Sequence, residues 1–364
     1  MSNRRSRWRR RQKRWVMADL HGVPLIEVSR GPLVESVHQI AAAVCSPEGE
    51  LLFSLGTVDV PVYLRSSAKP FISSTVVCSG AAERFAFTDQ EVAVITASHN
   101  GEPFHVEAVS GILRKIGLDA SALQCGAHEP YHEPTALAMR ERGERPSALH
   151  SNCSGKHAGI LALAVHLGAD PAAYLDPDHP AQRAILDVCA TFVGLRREEL
   201  PLGVDGCGIP VFATPLRSAA MAFARLATGR GLPADLARSA ARVYGAMTAY
   251  PEYVAGTARF DTDFMRAAGG RAASKAGAEG VMCVAHRTRG LGLVLKVVDG
   301  AKRAVDPAAV ALLEHFGFLE GVERGPLLSH RRLDMTNVAG RVIGAISANE
   351  SLLDRESPLS TPLS

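Results

Sequence analysis

The amino-acid sequence predicts an α+β fold, in which the two ends of the chain build one antiparallel sheet and a helical subdomain is inserted between them. Short apolar, β-branched runs bounded by turn residues are concentrated in the first and last thirds of the 364 residues, and such runs are typical of strands. Between residue 69 and about residue 250, apolar residues instead recur with helical spacing. Strands at both ends of a long helical block indicate an α+β layout rather than repeated βαβ units.

The predicted strands fall on either side of the helical block. A hairpin is indicated where the run 34–44 leads through Ser46-Pro47-Glu48-Gly49 into the run 51–55. The other strands are predicted over residues 23–28, 281–285, 291–298 and 338–347, with one helix over 307–316 among them.

The helical block is predicted to contain seven helices. Pro103 and Pro180 stand where two of them begin, a place that tolerates proline because its N–H group would have no partner within the helix. The predicted helices cover residues 70–79, 89–97, 103–116, 157–167, 180–193, 210–228 and 234–249.

These elements define one predicted domain over residues 17–348. Its sheet half comprises about 17–68 and 265–348, and its helical half about 69–264. A catalytic cleft is expected between the two halves. Residues 349–364 are expected to be a loose tail.

A basic block in the first sixteen residues accounts for the net charge of +3. The remainder of the chain is acidic, so we predict no nucleic-acid surface on the folded domain. Residues 1–16 lack the apolar segment of a secretory signal and are expected to be a disordered extension. They either bind polyanions or, in the simpler interpretation, precede a translation start at Met17. The basic residues are Arg4, Arg5, Arg7, Arg9, Arg10, Arg11, Lys13 and Arg14.

Composition indicates a reducing compartment and no membrane segment. No apolar run reaches the length of a membrane span. The seven cysteines are odd in number and scattered along the chain, which is typical of a cytosolic protein rather than a disulfide-bonded scaffold. We therefore expect a cytoplasmic location and no membrane contact.

The first candidate catalytic motif is an S-x-x-K at the start of a predicted helix. A strand-like run ends at Arg65 and helical spacing begins just after Pro70, so Ser66 is predicted in an N-cap-like position. Ser66 and Lys69 then lie three residues apart on one helix face. Serine acyl-transfer enzymes use this arrangement to let a neutral lysine act as the base. The motif is short, and alone it is more often part of an ordinary surface helix than of a catalytic site.

Two further motifs follow in chain order. Ser98-His99-Asn100 is an S-x-N motif, and Lys275-Ala276-Gly277 is a K-x-G motif. Penicillin-recognising serine enzymes carry S-x-x-K, S-D-N and K-T-G in the same order. The three motifs together predict a Ser–Lys acyl-transfer site, with backbone N–H groups near Ser66 and Gly277 as the oxyanion hole.

A second group of candidate residues surrounds two cysteines. Cys153 opens one predicted helix together with Lys156 and His157, and Cys207 follows Asp205 at the start of another. Two thiolates and a third donor would form an open metal site, for which His157 is the first nominee because a lysine must lose its proton before it binds a metal. No C-x-x-C spacing is present, and the alternative is that both cysteines are free buried thiols.

Taken together, these motifs resemble the asparaginase II family, the class 3 or Rhizobium etli-type L-asparaginases. The resemblance extends over roughly residues 23–347. It departs from the family at Ile72, where glutamine is common, and in the basic first sixteen residues. The segments that carry it are Arg65-Ser66-x-x-Lys69-Pro70-Phe71, Ala97-Ser98-His99-Asn100-Gly101-Glu102, Leu123-Gln124-Cys125-Gly126, Asn152-Cys153-Ser154-Gly155-Lys156-His157, Asp178-His179-Pro180, Asp205-Gly206-Cys207-Gly208-Ile209-Pro210 and Lys275-Ala276-Gly277-Ala278-Glu279-Gly280.

The resemblance implies a serine-β-lactamase/penicillin-binding-like fold and a homodimer. It also implies a catalytic site of two Ser–Lys pairs, Ser66 with Lys69 and Ser98 with Lys275. A zinc ion is implied as well.

The implied zinc ligands are Cys153, Lys156 and Cys207, which replaces the nomination of His157 as a ligand. His157 and Asp205 then become residues beside the substrate. Whether the zinc ion is catalytic or structural is left open by the sequence.

The resulting hypothesis is hydrolysis of L-asparagine to L-aspartate and ammonia through an acyl-enzyme. Such a short substrate needs charges of both signs for its α-carboxylate and α-amino groups, and Arg65 and Asp205 have the right signs. The predicted substrate-binding residues are Arg65, Asn100, His157 and Asp205.

Three alternatives remain open. One is a related Ser–Lys enzyme that acts on glutamine. Another is a Ser–Lys enzyme that acts on a β-lactam or peptide amide; the missing signal peptide argues against it, because those substrates lie outside the cytosol. The third, from another class, is a zinc-binding protein without catalysis, against which the complete set of two serines and two lysines argues.

Overall fold

The computed structural model describes residues 19–356. The basic extension predicted for residues 1–16 and the end of the predicted tail, residues 357–364, lie outside the described residues. The strands of the described chain are β1 (Val23–Arg30), β2 (Leu33–Cys45), β3 (Leu51–Leu55), β4 (Pro61–Tyr63), β5 (Leu202–Val204), β6 (Pro210–Pro215), β7 (Ala272–Gly277), β8 (Val281–His286), β9 (Leu291–Val297), β10 (Arg332–Thr336) and β11 (Val342–Ala348).

One eight-stranded sheet is formed from both ends of the described chain. Its order is β10-β11-β1-β2-β9-β8-β7, and β3 pairs with β2 beside this path. The pairs are antiparallel: Glu27 of β1 lies opposite Ser347 of β11 and Val37 of β2, and Ala42 of β2 lies opposite Leu295 of β9. The predicted α+β class, with a sheet drawn from both chain ends, is confirmed.

Helices cover the sheet and fill most of the chain between β4 and β7. Among the described residues, none is both long and apolar enough to cross a membrane. Their bounds are Lys69–Cys78, Ala81–Arg84, Asp89–Ile95, Pro103–Lys115, Glu133–Glu141, Ser154–His166, Pro180–Val193, Leu216–Thr228, Ala234–Ala249, Pro251–Val254, Phe260–Ala268, Val305–His315, Leu328–Arg331 and Ser351–Glu356.

The helix predicted over 210–228 begins later than expected, at Leu216. Its first six predicted residues form β6, which pairs with β4 and β5 in a separate three-stranded sheet. The helices at 133–141 and 260–268 and the strand β7 were not predicted. Strand β7 consists largely of small residues without β-branched side chains, so it lacks the usual strand signal.

The predicted loose tail is wrong for residues 351–356, which form a short helix. Leu353 of this helix is buried. The preceding Asn349 is bound to β1, because its backbone N–H donates to Leu25 O at 2.8 Å and its side chain donates to Glu27 Oε1 at 2.8 Å. The end of the sheet is therefore covered rather than followed by free chain.

A glycine brings the helix Ser154–His166 into contact with the helix Asp89–Ile95. A Cβ atom on Gly155 would lie 2.1 Å from the carbonyl oxygen of Val94. Because that oxygen belongs to a helix backbone, it has no rotamer by which to avoid the clash. The contact places the start of the helix Ser154–His166 beside the segment that follows the helix Asp89–Ile95. That segment contains Ser98.

Gly155→Ala should therefore destabilise the protein by about 1–3 kcal/mol, since the added methyl group forces the two helices apart. Gly245→Ala is the matched control in the helix Ala234–Ala249, where an added Cβ would meet no atom within 4 Å. There the change should stabilise the fold by about 0.5–1 kcal/mol. Urea unfolding measures both free energies, and equal effects of the two substitutions would contradict the tight contact.

Candidate active site

A cavity of about 800 Å³ opens between the sheet and the helical part of the chain. Its wall includes Ser66, Ser98 and Asn100, the segment 257–261 and the β7–β8 connection. The two predicted catalytic serines thus line the same cavity. The location agrees with the cleft expected between the two halves.

Ser98 lies at the meeting point of two buried lysines. Its Oγ atom is 3.0 Å from Lys69 Nζ and 3.0 Å from Lys275 Nζ. The two lysines are only 1% and 0% exposed. Lys69 also donates to Ala97 O at 2.5 Å, and Lys275 to Ala276 O at 2.8 Å. The fold thereby brings the lysine of the S-x-x-K motif and the lysine of the K-x-G motif to the serine of the S-x-N motif.

Burial lowers the pKa of both lysines. The pKa of Lys275 falls to about 7, because loss of hydration outweighs the attraction of Asp261. The pKa of Lys69 is lowered chiefly by burial, although the neighbouring Cys153 opposes the shift. A lysine that is neutral near pH 7 can accept a proton, which is the property a general base needs.

The sequence analysis missed Asp261, a carboxylate that holds the strand carrying Lys275. Asp261 is buried, and it accepts hydrogen bonds from Ser274 Oγ at 2.7 Å and Ala276 N at 3.0 Å. Its Oδ2 atom also lies 4.0 Å from Lys275 Nζ. The residues on both sides of the lysine are therefore attached to one carboxylate, which raises the lysine pKa above the value that burial alone would set. No motif links Asp261 to Lys275 in the sequence.

Backbone strain is concentrated around the cavity. Arg65, which immediately precedes Ser66, has a φ angle of 52°, and the cavity-lining Ala258 and Glu279 have φ angles of 55° and 61°. Left-handed conformations of this kind cost a non-glycine residue roughly 1–3 kcal/mol and tend to occur at functional sites. The strain at Arg65 turns the chain where Ser66 meets the cavity.

Ser66 occupies a 3₁₀ turn rather than a helix cap. The helix begins at Lys69 with Ala68 as its N-cap, so the predicted N-cap-like position of Ser66 is wrong. In the described part of the chain Ser66 Oγ has no hydrogen-bond partner, and the side chain of Lys69 is bonded to Ser98 instead. The hydroxyl of Ser66 is therefore available to a substrate.

The glycine of the K-x-G motif lets β7 approach the turn that contains Ser66. A Cβ atom on Gly277 would lie 2.6 Å from Leu64 O and 3.3 Å from Ser67 N. Any larger residue would push the strand away from the turn. The two backbone segments predicted to form the oxyanion hole are thus adjacent.

The second predicted group also comes together. Lys156 Nζ lies 2.8 Å from Cys207 Sγ, and Lys69 Nζ lies 3.3 Å from Cys153 Sγ. A hydrogen bond from Cys207 holds the pKa of Cys153 well below its usual range, and the neighbouring Lys156 and Lys69 act in the same direction. This pairing favours the thiolate form of Cys153, whereas the hydrogen bond to Cys153 and burial raise the pKa of Cys207.

The donor atoms of this group suit the implied zinc ion. Two sulfur atoms and one amine converge within the protein, and zinc prefers sulfur and nitrogen ligands. The described residues contain no cluster of three His, Cys, Asp or Glu side chains that could hold a metal, so a zinc site here requires Lys156 as the third ligand. Burial lowers the pKa of Lys156, but Cys153, Cys207 and Asp205 together raise it above its usual value. A bound cation must therefore displace the proton of this lysine.

The predicted substrate-binding residues are only partly at the cavity. Asn100 lines it, whereas Arg65, His157 and Asp205 are not among its lining residues. Arg65 Nε donates to Asp205 Oδ1 at 2.8 Å, so these two charges neutralise each other. His157 is buried, with Nδ1 2.6 Å from the hydroxyl of Tyr174. Roles for these three residues beside the substrate stay predictions.

The sequence model of the L-asparaginase II family matches residues 26–348. The chain belongs to this family. The match includes every residue of the three catalytic motifs and of the cysteine group, so the family resemblance found in the sequence is confirmed. As a member of the L-asparaginase II family, the protein is an amidohydrolase, and a small amide is the class of substrate that fits it. Among curated proteins, none matches the sequence.

Similarities of this L-asparaginase II family member to solved structures are distant. A β-lactamase from Mycobacterium bovis is 16% identical, with a TM-score of 0.40 over 76% of this chain and 94% of its own. The native form of Mglu is 17% identical, with a TM-score of 0.34 over 79% of this chain and 67% of its own. A mutant of simvastatin synthase from Aspergillus terreus is 11% identical, with a TM-score of 0.36 over 71% and 86%. Identities this low say nothing about the substrate.

The pH dependence of amide hydrolysis should reveal the pKa of Lys275. A base must be neutral, so activity should rise as pH increases through about 7. Asp261→Asn removes a charge that raises this pKa, and the rise should move to lower pH. The measurement is kcat/KM for amide hydrolysis between pH 5 and pH 9. Asp263→Asn, on the same helix but paired with His330, should leave the profile in place, and an unmoved profile in Asp261→Asn would exclude this role for the carboxylate.

Proposed function

We propose that this amidohydrolase converts L-asparagine to L-aspartate and ammonia through an acyl-enzyme. The supporting observation is the single hydroxyl of Ser98 held 3.0 Å from each of two buried lysines, Lys69 and Lys275. Ser66 lines the same cavity, and its hydroxyl has no hydrogen-bond partner between residues 19 and 356. This combination supplies a nucleophile, a base and a route for a proton to the leaving group.

The proposed reaction begins with attack of Ser66 Oγ on the side-chain amide carbon. A C–O bond forms while the proton of Ser66 passes to neutral Lys69. The C–N bond then breaks, and the proton that Lys69 took up passes through Ser98 and neutral Lys275 to the departing ammonia. Water attacks the resulting ester, releases L-aspartate and restores the serine.

Ser98 is the second candidate for the nucleophile, and a specific observation favours it. Its hydroxyl contacts both lysines, whereas Ser66 contacts neither in the described chain. The strained turn before Ser66 and the adjacent backbone of Gly277 support Ser66 instead, because an oxyanion hole must lie beside the attacked carbon.

Ser66→Ala should lower kcat for L-asparagine by about 10³-fold or more, with little loss of stability, because the side chain makes no hydrogen bond to the described residues. Ammonia release measures turnover, and mass spectrometry of quenched reactions locates the acyl group. Ser79→Ala, at the far end of the helix that begins at Lys69, is the control and should remain active.

Activity retained by Ser66→Ala together with an acyl group on Ser98 would move the nucleophile to Ser98. L-glutamine and the β-lactam nitrocefin are assayed in parallel with the unmodified protein. Turnover of nitrocefin without turnover of L-asparagine would overturn the proposed substrate, and no turnover of any amide would favour the non-catalytic alternative.

We further propose that Cys153, Lys156 and Cys207 hold a zinc ion. When bound, the ion would supply positive charge beside the substrate, or it would tie the start of the helix Ser154–His166 to the turn before β6. The three side chains are buried, and the thiolate character of Cys153 favours a metal.

Protein purified without chelators should contain about one zinc ion per chain. Cys153→Ser and Cys207→Ser should each lose it, since each removes a sulfur ligand, and binding should weaken as pH falls and the ligands regain protons. His157→Ala is the control and should keep its zinc. Elemental analysis measures the metal content, and zinc retained by both serine variants would exclude this ligand set.

A homodimer and a cytoplasmic location remain predictions of the sequence analysis. The dimer is tested by the molar mass of the purified protein in solution. The location is tested by fractionation of the source cells.

A further inference from the structure

Arg259 is a cavity residue that the sequence analysis did not single out. It immediately precedes the helix Phe260–Ala268, is partly buried and lines the cavity together with Ser66 and Ser98. Its Nη1 atom lies 3.5 Å from the backbone oxygen of Ser98. The guanidinium group is therefore next to the proposed reacting groups.

The charge of Arg259 has no counterion within the described chain. No carboxylate oxygen of the described residues lies within 4.0 Å of its guanidinium nitrogens. By contrast, Arg65 is paired with Asp205. Arg266, in the helix that Arg259 precedes, is paired with Glu252. Its strongest contact is to a neutral group, since Nη1 donates to Asn100 Oδ1 at 2.8 Å. An uncompensated cation facing a cavity is suited to bind an anion.

The position of Arg259 is held by a network behind the cavity wall. Asn100 Nδ2 donates to Thr257 O at 3.0 Å, and the backbone N–H and hydroxyl of Thr257 donate to the buried carboxylate of Glu102 at 2.8 and 2.7 Å. Gly256 lies so close to Glu102 that a Cβ atom on it would be 2.5 Å from Glu102 Oε1. The segment is therefore anchored before a ligand arrives, and this reduces the entropy lost on binding.

We propose that Arg259 binds the carboxylate of the substrate and thereby restricts the enzyme to amides that carry one. This role rests on the proposed amide hydrolysis and makes the carboxylate the feature by which the enzyme selects its substrate. The planar guanidinium offers N–H groups in the fork geometry that matches a carboxylate. The Nη1 atom is used by Asn100 and the backbone oxygen of Ser98, and the N–H groups of Nε and Nη2 have no acceptor among the described residues. Arg65, the residue first expected in this role, is already paired.

Three substrates separate this role from a general structural one. L-Asparagine and succinamate both carry the carboxylate, and 3-aminopropanamide has the asparagine skeleton without it. Arg259→Gln should lower kcat/KM for the first two by about 10- to 100-fold, mainly through KM, as expected for loss of hydrogen bonds to a charged group. Its activity on 3-aminopropanamide should be unchanged, and Arg259→Lys should recover part of the loss. Arg266→Gln is the matched control and should behave like the unmodified protein.

The assays are run at pH 9, because the charge of Arg259 also lowers the pKa of Lys275. This pH lies above the pKa of about 7 of Lys275 in the unmodified protein, so a change in the titration of the lysine has less influence on the comparison of binding. Thermal denaturation verifies that each variant is folded. A loss of similar size on all three substrates, or no loss on any of them, would overturn the proposal.

Calorimetry with L-aspartate separates the proposal from the proposed function. If the protein does not hydrolyse L-asparagine but binds L-aspartate, and Arg259→Gln binds it at least 10-fold more weakly, the carboxylate role stands and the asparaginase activity fails. If the unmodified protein does not bind L-aspartate, or if Arg259→Gln binds it equally well, the carboxylate role is wrong whatever the enzyme hydrolyses.

Discussion

The buried amino groups of Lys69 and Lys275 share the hydroxyl of Ser98, and the arrangement of the residues around the cavity depends on them. An ammonium ion is expensive to bury, so Lys69 and Lys275 have lowered pKa values. Each amine must still find hydrogen-bond partners inside the protein, and each uses a backbone carbonyl together with Ser98. The close approach of β7 to the turn, and the tight contact at Gly155, place these partners where the amines need them.

Lys69 connects the catalytic residues to the cysteine group. Its amine lies 3.0 Å from Ser98 Oγ and 3.3 Å from Cys153 Sγ, and Cys207 and Lys156 follow directly behind. The row ends in the ion pair of Asp205 with Arg65. Ser98 and the proposed zinc ligands are thus neighbours within one buried polar network, in which removal of one member leaves the next without its partner.

Much of this arrangement could be predicted from the sequence, for physical reasons that differ from residue to residue. Ser98 and Lys275 carry recognisable motifs, and the hairpin of β2 and β3 has its turn residues in order, so local patterns were sufficient. Asp261 and Arg259 lie in a short polar segment whose importance arises only when the chain brings it against β7. Strand β7 itself is built of small residues that the close contact at Gly277 requires, and this composition removes the signal by which a strand is recognised.

The same reasoning explains why Ser66 was placed wrongly at a helix cap. Pro70 signals a helix start correctly, but the extra turn before Lys69 depends on the strained conformation of Arg65. Strain of this kind persists only where surrounding structure enforces it. A local pattern therefore could not show it.

The hydrogen bond between Ser98 and Lys275 joins residues 177 positions apart, and this separation bears on how the protein is made. A nascent chain that has reached the end of the helical block contains both serines and Lys69. It still lacks β7 to β11, so β1 is without its partner β11 and β2 is without its partner β9. Contacts of such long range form slowly, because the loop must close before they stabilise anything. The site proposed for catalysis therefore cannot be complete until β7, which contains Lys275, has been synthesised.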